Sequence, residues 1–227
     1  LWVGRQSYAI KAHPIAMYQA AEQAAIQSGK KVHLVMQGYY VPEESEPEYK
    51  ALARDVCQTA SVHFVAANDP RFPDGLWAAG DIFISLVDNM QESFGITPVE
   101  AIAAGLPRVI SDWDGYREHV SDGEDGFLVP TYQPPKGMGK DLAALLLGTR
   151  EYYGGFLAQC AQTAVVDVDA ATKSIVQLVE SPALRAQMAE KAKARLPNYD
   201  WKTLIPAYED QWAEQMARRE HKKALDI

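Results

Sequence analysis

The sequence predicts an α/β domain in which a parallel sheet lies between two layers of helices, followed by a helical C-terminal extension. Two observations carry this. Through the first two thirds of the chain, short β-branched runs alternate with patterns of helical period, the signature of βαβ units and a mostly parallel sheet. After Pro130 the texture changes to helical patterns without a strong strand. The composition fits one folded unit: 227 residues, 48% hydrophobic and 23% charged, with 15 glycines and 13 prolines, close to the average of globular proteins. A chain of this length can bury a full core.

The elements follow in order. Residues 1–3 begin the first strand. Apolar positions at Ile15, Tyr18, Ala21, Ala25 and Ile26 predict a helix over 14–27, with Pro14 near its first turn and Gly29 just past its end. A strand over 32–36 ends at Gly38, a second helix occupies 47–60, and a third strand 62–66. The polar, proline-rich stretch 67–73 is a loop before a short helix near 76–79. Residues 81–86 (Asp-Ile-Phe-Ile-Ser-Leu) read as a buried strand; a loop at 87–93 then leads into a helix over 95–104 that stops at Gly105. Residues 108–111 form the next strand, and the sheet is expected to be finished by Pro130. A loop follows at 133–139. Ser181 and Pro182 form an N-cap and first-turn pair that opens a helix to about Arg195. A last amphipathic helix over 205–222 carries Tyr208, Trp212 and Met216 on one face. The domain is therefore expected over 1–200, with the C-terminal helix at 201–227.

Charge and cysteine usage narrow the function. The 22 Lys and Arg against 30 Asp and Glu give a net charge of -8, which argues against nucleic acid as the main partner, because phosphate backbones need massed basic residues. Any anion site must be local. Cys57 and Cys160 each sit alone in apolar, helix-like segments, the pattern of inert buried thiols rather than of a disulfide framework or a zinc site. There is no apolar run near membrane-spanning length and no basic-then-apolar leader, so a cytoplasmic location is expected. The chain opens at Leu1 without a methionine and already inside an apolar run, which reads as a piece of something longer.

The segment 92–100, Glu-Ser-Phe-Gly-Ile-Thr-Pro-Val-Glu, stands at the turn from a buried strand into a helix. Backbone N–H groups at Phe94, Gly95 and Ile96 would point out of the helix N-terminus, where the macrodipole favours negative charge. Gly95 lets a phosphate approach closely, and Pro98 removes an N–H that has no intrahelical partner. Glu92 precedes this terminus and Glu100 lies one turn inside, so two carboxylates bracket an anion site. A sugar nucleotide has that order of parts: Glu100 suits its ribose diol, the helix terminus its diphosphate, and Glu92 the hydroxyls of its sugar. An arbitrary pair of glutamates near a helix start is a dipole effect on a solvated face. Here the helix continues Ala-Ile-Ala-Ala-Gly-Leu-Pro over 101–107, which leaves Glu100 as the odd charge on an apolar element.

With these residues the segment resembles the Glu-x7-Glu motif of retaining GT-B glycosyltransferases of family 4, also called group 1, and the chain resembles that family's C-terminal, donor-binding domain. Val3-Gly4-Arg5 with Lys11 six residues on, the run 79–84 before the motif, and Gly105-Leu106-Pro107 after it support the match. Gly115, Glu118, Gly126 and Leu128-Val129-Pro130 extend it. The likeness covers about 1–130 well and 181–201 more loosely.

The resemblance implies a Rossmann-like, three-layer fold, the C-terminal half of a GT-B enzyme. It also implies that Arg5 and Lys11 hold the donor diphosphate without a metal or cofactor, the electrostatic role that Mg²⁺ plays elsewhere. It further implies transfer of a hexose-type unit from a nucleotide diphosphate sugar with retention, Glu92 holding the sugar in the catalytic position. Nothing supplies the second carboxylate of a double-displacement glycosidase. The family's acceptor-binding N-terminal domain is missing from this chain, so the fragment alone should bind donor without turning it over. The last helix is expected to pack on that domain. A GT-B-like epimerase or phosphorylase relative, and a non-catalytic sugar-nucleotide-binding scaffold, are the alternatives.

Other signals compete weakly. Asp112-Trp113-Asp114 matches the Asp-x-Asp metal pattern of the GT-A class, but its place after a strand favours a helix entry with Asp in the capping role. The five histidines lack ligand spacing; His63 reads as a strand residue, and His119, beside Glu118 near the expected site, as an ordinary surface histidine ahead of a donor-side role. Gly137-Met138-Gly139-Lys140 lacks the spacing of a phosphate loop. Trp113, Tyr116, Tyr39, Tyr40 and Trp77 suit packing or the stacking of a base or sugar. The stretch 131–168, with Tyr152-Tyr153-Gly154-Gly155, is longer than the family pattern and reads as an extra helix pair, a lid or an oligomer contact. Arg218, Arg219, Lys222 and Lys223 suit anionic lipid or, more simply, the helix dipole.

Overall fold

The computed structural model describes residues 1–72, 75–148 and 153–225. Strands β1 (Trp2–Gln6), β2 (His33–Tyr40) and β3 (Ser61–Ala66) pair in parallel in the order β1-β2-β3. Strands β4 (Phe83–Ser85), β5 (Arg108–Asp112) and β6 (Gly126–Tyr132) form a second parallel set. Leu1 joins the two: its N donates to the Ile82 carbonyl at 2.7 Å, and Ile84 N donates to its carbonyl at 2.9 Å. The combined order is β3-β2-β1-β4-β5-β6, a doubly wound sheet whose order reverses between β1 and β4. Past Leu1 no ladder bond links β1 to β4 among the described residues.

The side-chain period of two sends alternate residues of each strand to opposite faces. Ile84 and Val109 enter one apolar cluster, with Trp2, Met17, Leu34, Met36 and Val129; Phe83 and Ile110 enter the other, with Leu76, Val87, Ala101 and Tyr116. A core on each face of the sheet is what three layers require, and each fully buried large apolar side chain contributes about 1.5–3 kcal/mol. On the first face, helix α1 (Ile15–Ser28) packs against α6 (Val168–Glu180), a close approach allowed by the buried small residues Ala20, Ala21, Ala24 and Ala25 of α1 and Ala171 of α6. Helix α1 ends where Gly29 turns left-handed and donates its N–H to the Ala25 carbonyl. The buried Glu22 carboxylate accepts from the N–H groups of Thr59 and Ala60, tying α1 to the chain that follows helix α2 (Glu46–Val56).

Helix α3 (Ile96–Ala103) follows β4. Helix α6 is capped by Asp167, which accepts from Ala170 N, and α7 (Pro182–Lys193) by Ser181, which accepts from Leu184 N. A cap of this kind contributes about 1 kcal/mol.

Three expectations need correction. The sheet continues past Pro130: β6 runs to Tyr132 and pairs antiparallel with a two-residue strand β7 (Val165–Val166), too short to register as a period in sequence. The second helix stops at Val56 rather than Ala60, because the chain turns there to place Thr59 and Ala60 on Glu22. The last helix, α8 (Trp201–Leu225), starts four residues earlier than its amphipathic pattern, where Asp200 accepts from Lys202 N.

The stretch 131–168 contains the helix pair α4 (Lys140–Gly148) and α5 (Tyr153–Ala161), which pack on each other; Tyr152 lies outside the described residues. Trp201, Ile205, Tyr208, Trp212 and Met216 of α8 are all exposed. Cys57 and Cys160 are half-buried free thiols, and burial raises both, Cys57 to about 11. Among the described residues no helix is long and apolar enough to cross a membrane.

Candidate functional site

Where the strand order reverses, the loops that leave β1 and β4 diverge and open a cleft of about 830 Å³ at the strands' C-terminal ends. Arg5 on β1, Lys11 in the loop after it, Glu92, Phe94 and Gly95 in the loop after β4, and Ile96 and Glu100 on α3 all line it. The seven residues singled out from the sequence are thus brought together in one cavity. They come from two chain segments about eighty positions apart.

The α3 end of the cleft is shaped by Gly95, whose φ of 85° lies in the left-handed region and whose missing Cβ leaves room for the ring of Tyr116. Phe94 and Ile96 are exposed on either side of it. Among the described residues the amides of Phe94, Gly95 and Ile96 find no internal acceptor, as expected of a helix start, so the terminus presents free donors. Thr97, which sequence reasoning passed over, also lines the cleft, with a buried hydroxyl. A hydroxyl in the first turn of a helix already suspected of anion binding was the signal available.

Lys11 and Glu92 form an ion pair across the cleft, both side chains largely buried, and the Lys11 ammonium lies 5.8 Å from the centre of the Tyr116 ring. The pair is held by contacts between the two loops: Asn89 Nδ2 donates to the Ala9 carbonyl at 2.9 Å and Gln91 Nε2 to the Ile10 carbonyl at 2.7 Å. Arg5 and Glu100 have no ion-pair partner among the described residues. Glu100 stands exposed at the rim, and its partial desolvation raises its pKa above the usual carboxylate value.

Asp88, at the root of the same loop, is more strongly perturbed. Burial pushes its carboxyl up to about 7, against the partial relief of the backbone N–H groups of Asp88 itself and of His13, whose N lies 3.3 Å from Oδ2; Oδ1 has no side-chain or backbone partner among the described residues beyond the residue's own N–H. The folded chain therefore keeps a proton that the unfolded chain releases near the ordinary aspartate value of 3.8. The resulting stability is complete below that value and is lost as pH rises through about 7. Asp88→Asn, which keeps an oxygen for His13, is expected to be more stable than the parent at pH 8. Its urea midpoint should also be flatter between pH 5 and 8, and a variant that tracks the parent's curve would refute this account.

Several sequence readings resolve differently. His119 is wholly buried rather than on the surface, because the 3-10 turn Asp114–His119 packs beneath the loop that carries Phe94. Asp112 pairs with Arg117 at 3.1 Å, and the turn after β5 is entered through Trp113 with no side-chain cap. Trp113 and Tyr116 are core residues, whereas Tyr39 and Trp77 line the cleft. His63 lies on β3 as expected, with Nε2 3.0 Å from His33 Nδ1. Among the described residues no three His, Cys, Asp or Glu side chains are grouped as metal ligands.

Comparison with known proteins accords with this arrangement. The model of the family described as glycosyl transferases group 1 matches residues 3–154. The phosphatidyl-myo-inositol mannosyltransferase of Mycolicibacterium smegmatis is 31% identical over 110 residues, a match that takes in 48% of this chain and only 20% of that protein. Among solved structures, Anabaena HepE in complex with UDP and glucose superimposes with a TM-score of 0.57 at 20% identity, over 96% of this chain and 48% of that one. The C-terminal domain of the group 1 family glycosyl transferase LpcC of Francisella tularensis gives 0.60 at 16% identity, over 88% of this chain and 85% of that one. At these identities the structural likeness speaks for the fold, the Rossmann-like domain of GT-B enzymes. The family match extends over well more than half of the chain and spans both loops of the cleft, and on that ground the chain belongs to the group 1 glycosyltransferases.

Proposed function

We propose that this chain is the donor-binding half of a retaining glycosyltransferase, seating a nucleotide diphosphate sugar in the cleft between β1 and α3. One observation carries the reading: two cations, Arg5 and Lys11, and the free amides of a helix start face the same cavity as two carboxylates, Glu92 in the loop before that helix and Glu100 one turn inside it. The solved relative with UDP and glucose, and the one that is itself a C-terminal domain, support it.

The bond from sugar to diphosphate breaks with negative charge building on the departing phosphate oxygen. Preorganised donors aimed at that charge are the largest source of acceleration available to such a site. Arg5, Lys11 and the amides of Phe94, Gly95 and Ile96 take that role, with no metal required. Glu100 at the rim accepts from the ribose hydroxyls. Glu92, tied to Lys11, holds the sugar hydroxyls and is not free to act as a nucleophile, which agrees with attack from the leaving-group face and retention. The acceptor would be supplied from a separate N-terminal domain, and the exposed apolar face of α8 fits a seat on it.

Calorimetric titration with UDP, GDP and ADP, with and without Mg²⁺, tests this. One nucleotide is expected to bind whether or not metal is present. Lys11→Ala should weaken it about 10- to 100-fold, the worth of a charged hydrogen bond, and Glu100→Ala should weaken it less. Binding of none, or binding that needs Mg²⁺ and ignores both substitutions, would overturn the reading.

A further inference from the structure

His119 touches the cleft only from behind. Its side chain is fully buried; Nε2 lies 2.6 Å from the Phe94 carbonyl and Nδ1 2.9 Å from the Tyr199 hydroxyl. A carbonyl can only accept, so Nε2 carries the proton. Burial lowers the pKa of the ring and keeps it neutral, which leaves Nδ1 to accept from the Tyr199 O–H. The Phe94 ring stands edge-on to the imidazole, 4.6 Å between centres, and helps fix it.

A peptide unit is planar and trans, so the Phe94 C=O and the Gly95 N–H point in opposite directions. Drawing the carbonyl inward to His119 turns the Gly95 N–H outward, into the cleft. The opposite orientation would present a carbonyl oxygen to an anion. Glycine leaves that flip open, since it adopts either sign of φ at little cost.

We propose that His119 is a positioning residue: its Nε2–H locks the Phe94–Gly95 peptide in the orientation that aims the Gly95 N–H at a bound diphosphate, and Tyr199 fixes the tautomer that makes this possible. The proposal rests on the donor-site reading above. It extends that site to the 3-10 turn Leu196–Tyr199, which does not itself line the cleft.

The test compares the parent chain with His119→Phe, which removes the donor, and His119→Gln, whose amide nitrogen reaches about where Nε2 does. Each is titrated with UDP, GDP and ADP and with the matching nucleosides, well below its melting temperature. For whichever diphosphate binds the parent, His119→Phe should weaken it about tenfold, the worth of one hydrogen bond. His119→Gln should restore it to within about threefold, and nucleoside binding should not change. In ¹⁵N spectra the Gly95 amide proton should move downfield on saturation in the parent and in His119→Gln, but not in His119→Phe.

Equal diphosphate affinity in His119→Phe and the parent overturns this inference alone. A parent that binds no diphosphate overturns the donor reading, and this inference with it. Should neither variant fold, the imidazole ¹⁵N shifts of the parent decide: an Nε2–H tautomer is expected, and an Nδ1–H tautomer overturns the proposal.

Discussion

Gly95→Ala is expected to lower the melting temperature sharply and abolish nucleotide binding in one step. An added Cβ would fall 2.1 Å from Tyr116 Cε1 and 2.7 Å from Cδ1. The ring cannot yield, because Tyr116 is completely buried and its hydroxyl lies 3.2 Å from Ser85 Oγ. Overpacking of this kind costs about 1–3 kcal/mol, and an L-residue in the left-handed region about 1–2 kcal/mol more. In a chain of this size each kcal/mol is roughly 2–4 °C. Gly123 separates the two contributions, since its φ is 72° but nothing lies within 4 Å of where a Cβ would stand. Gly123→Ala should therefore show the backbone strain alone and leave binding intact. Thermal denaturation of both variants beside calorimetry checks this; equal melting of the two would mean that Tyr116 does not hold the loop.

Asp125→Ala is expected to be the most destabilising single change away from the cleft. Asp125 is buried and serves two guanidinium groups at once: its Oδ2 lies 3.0 Å from Arg108 and 3.3 Å from Arg195, while Oδ1 accepts from Ser121 N. Arg108 is fully buried, and apart from Asp125 its one described partner is the His119 carbonyl. Removing the carboxylate leaves an unneutralised charge in the interior, which costs about 3–5 kcal/mol. Arg195→Ala should cost much less, because Arg195 is partly exposed and Asp125 keeps Arg108. Urea unfolding at neutral pH checks the order; an Asp125→Ala chain no weaker than Arg195→Ala would show that water reaches Arg108.

Much of this molecule was legible along the chain. Strands and helices with a clear period and ordinary caps, such as α1 with Gly29 and α7 with Ser181, declared themselves locally. The Glu92 to Glu100 segment was legible because its strand-loop-helix context supplies the physics of an anion site, and all seven residues proposed from sequence line one cleft. What stayed hidden was made by packing between distant segments. His119 sits beside Glu118 in a polar run, and only the fold of the 3-10 turn under a loop 25 positions earlier buries it. Asp88 is perturbed by burial beneath the loop that follows β1, about 75 positions earlier, and β7 is two residues that only a partner strand makes visible.

The single-residue junction between β1 and β4 has a consequence for binding. The sheet consists of two leaves with Leu1 as the spine, and past that residue, among the described residues, the loops that follow β1 and β4 tie the leaves together, with no ladder bond between them. A nucleoside diphosphate seated as proposed grips Arg5 on one leaf and the α3 amides on the other, so it acts as a rivet across the open edge. The free energy that holds the donor is then also free energy that closes the sheet, and the domain is most cohesive when its substrate is in place.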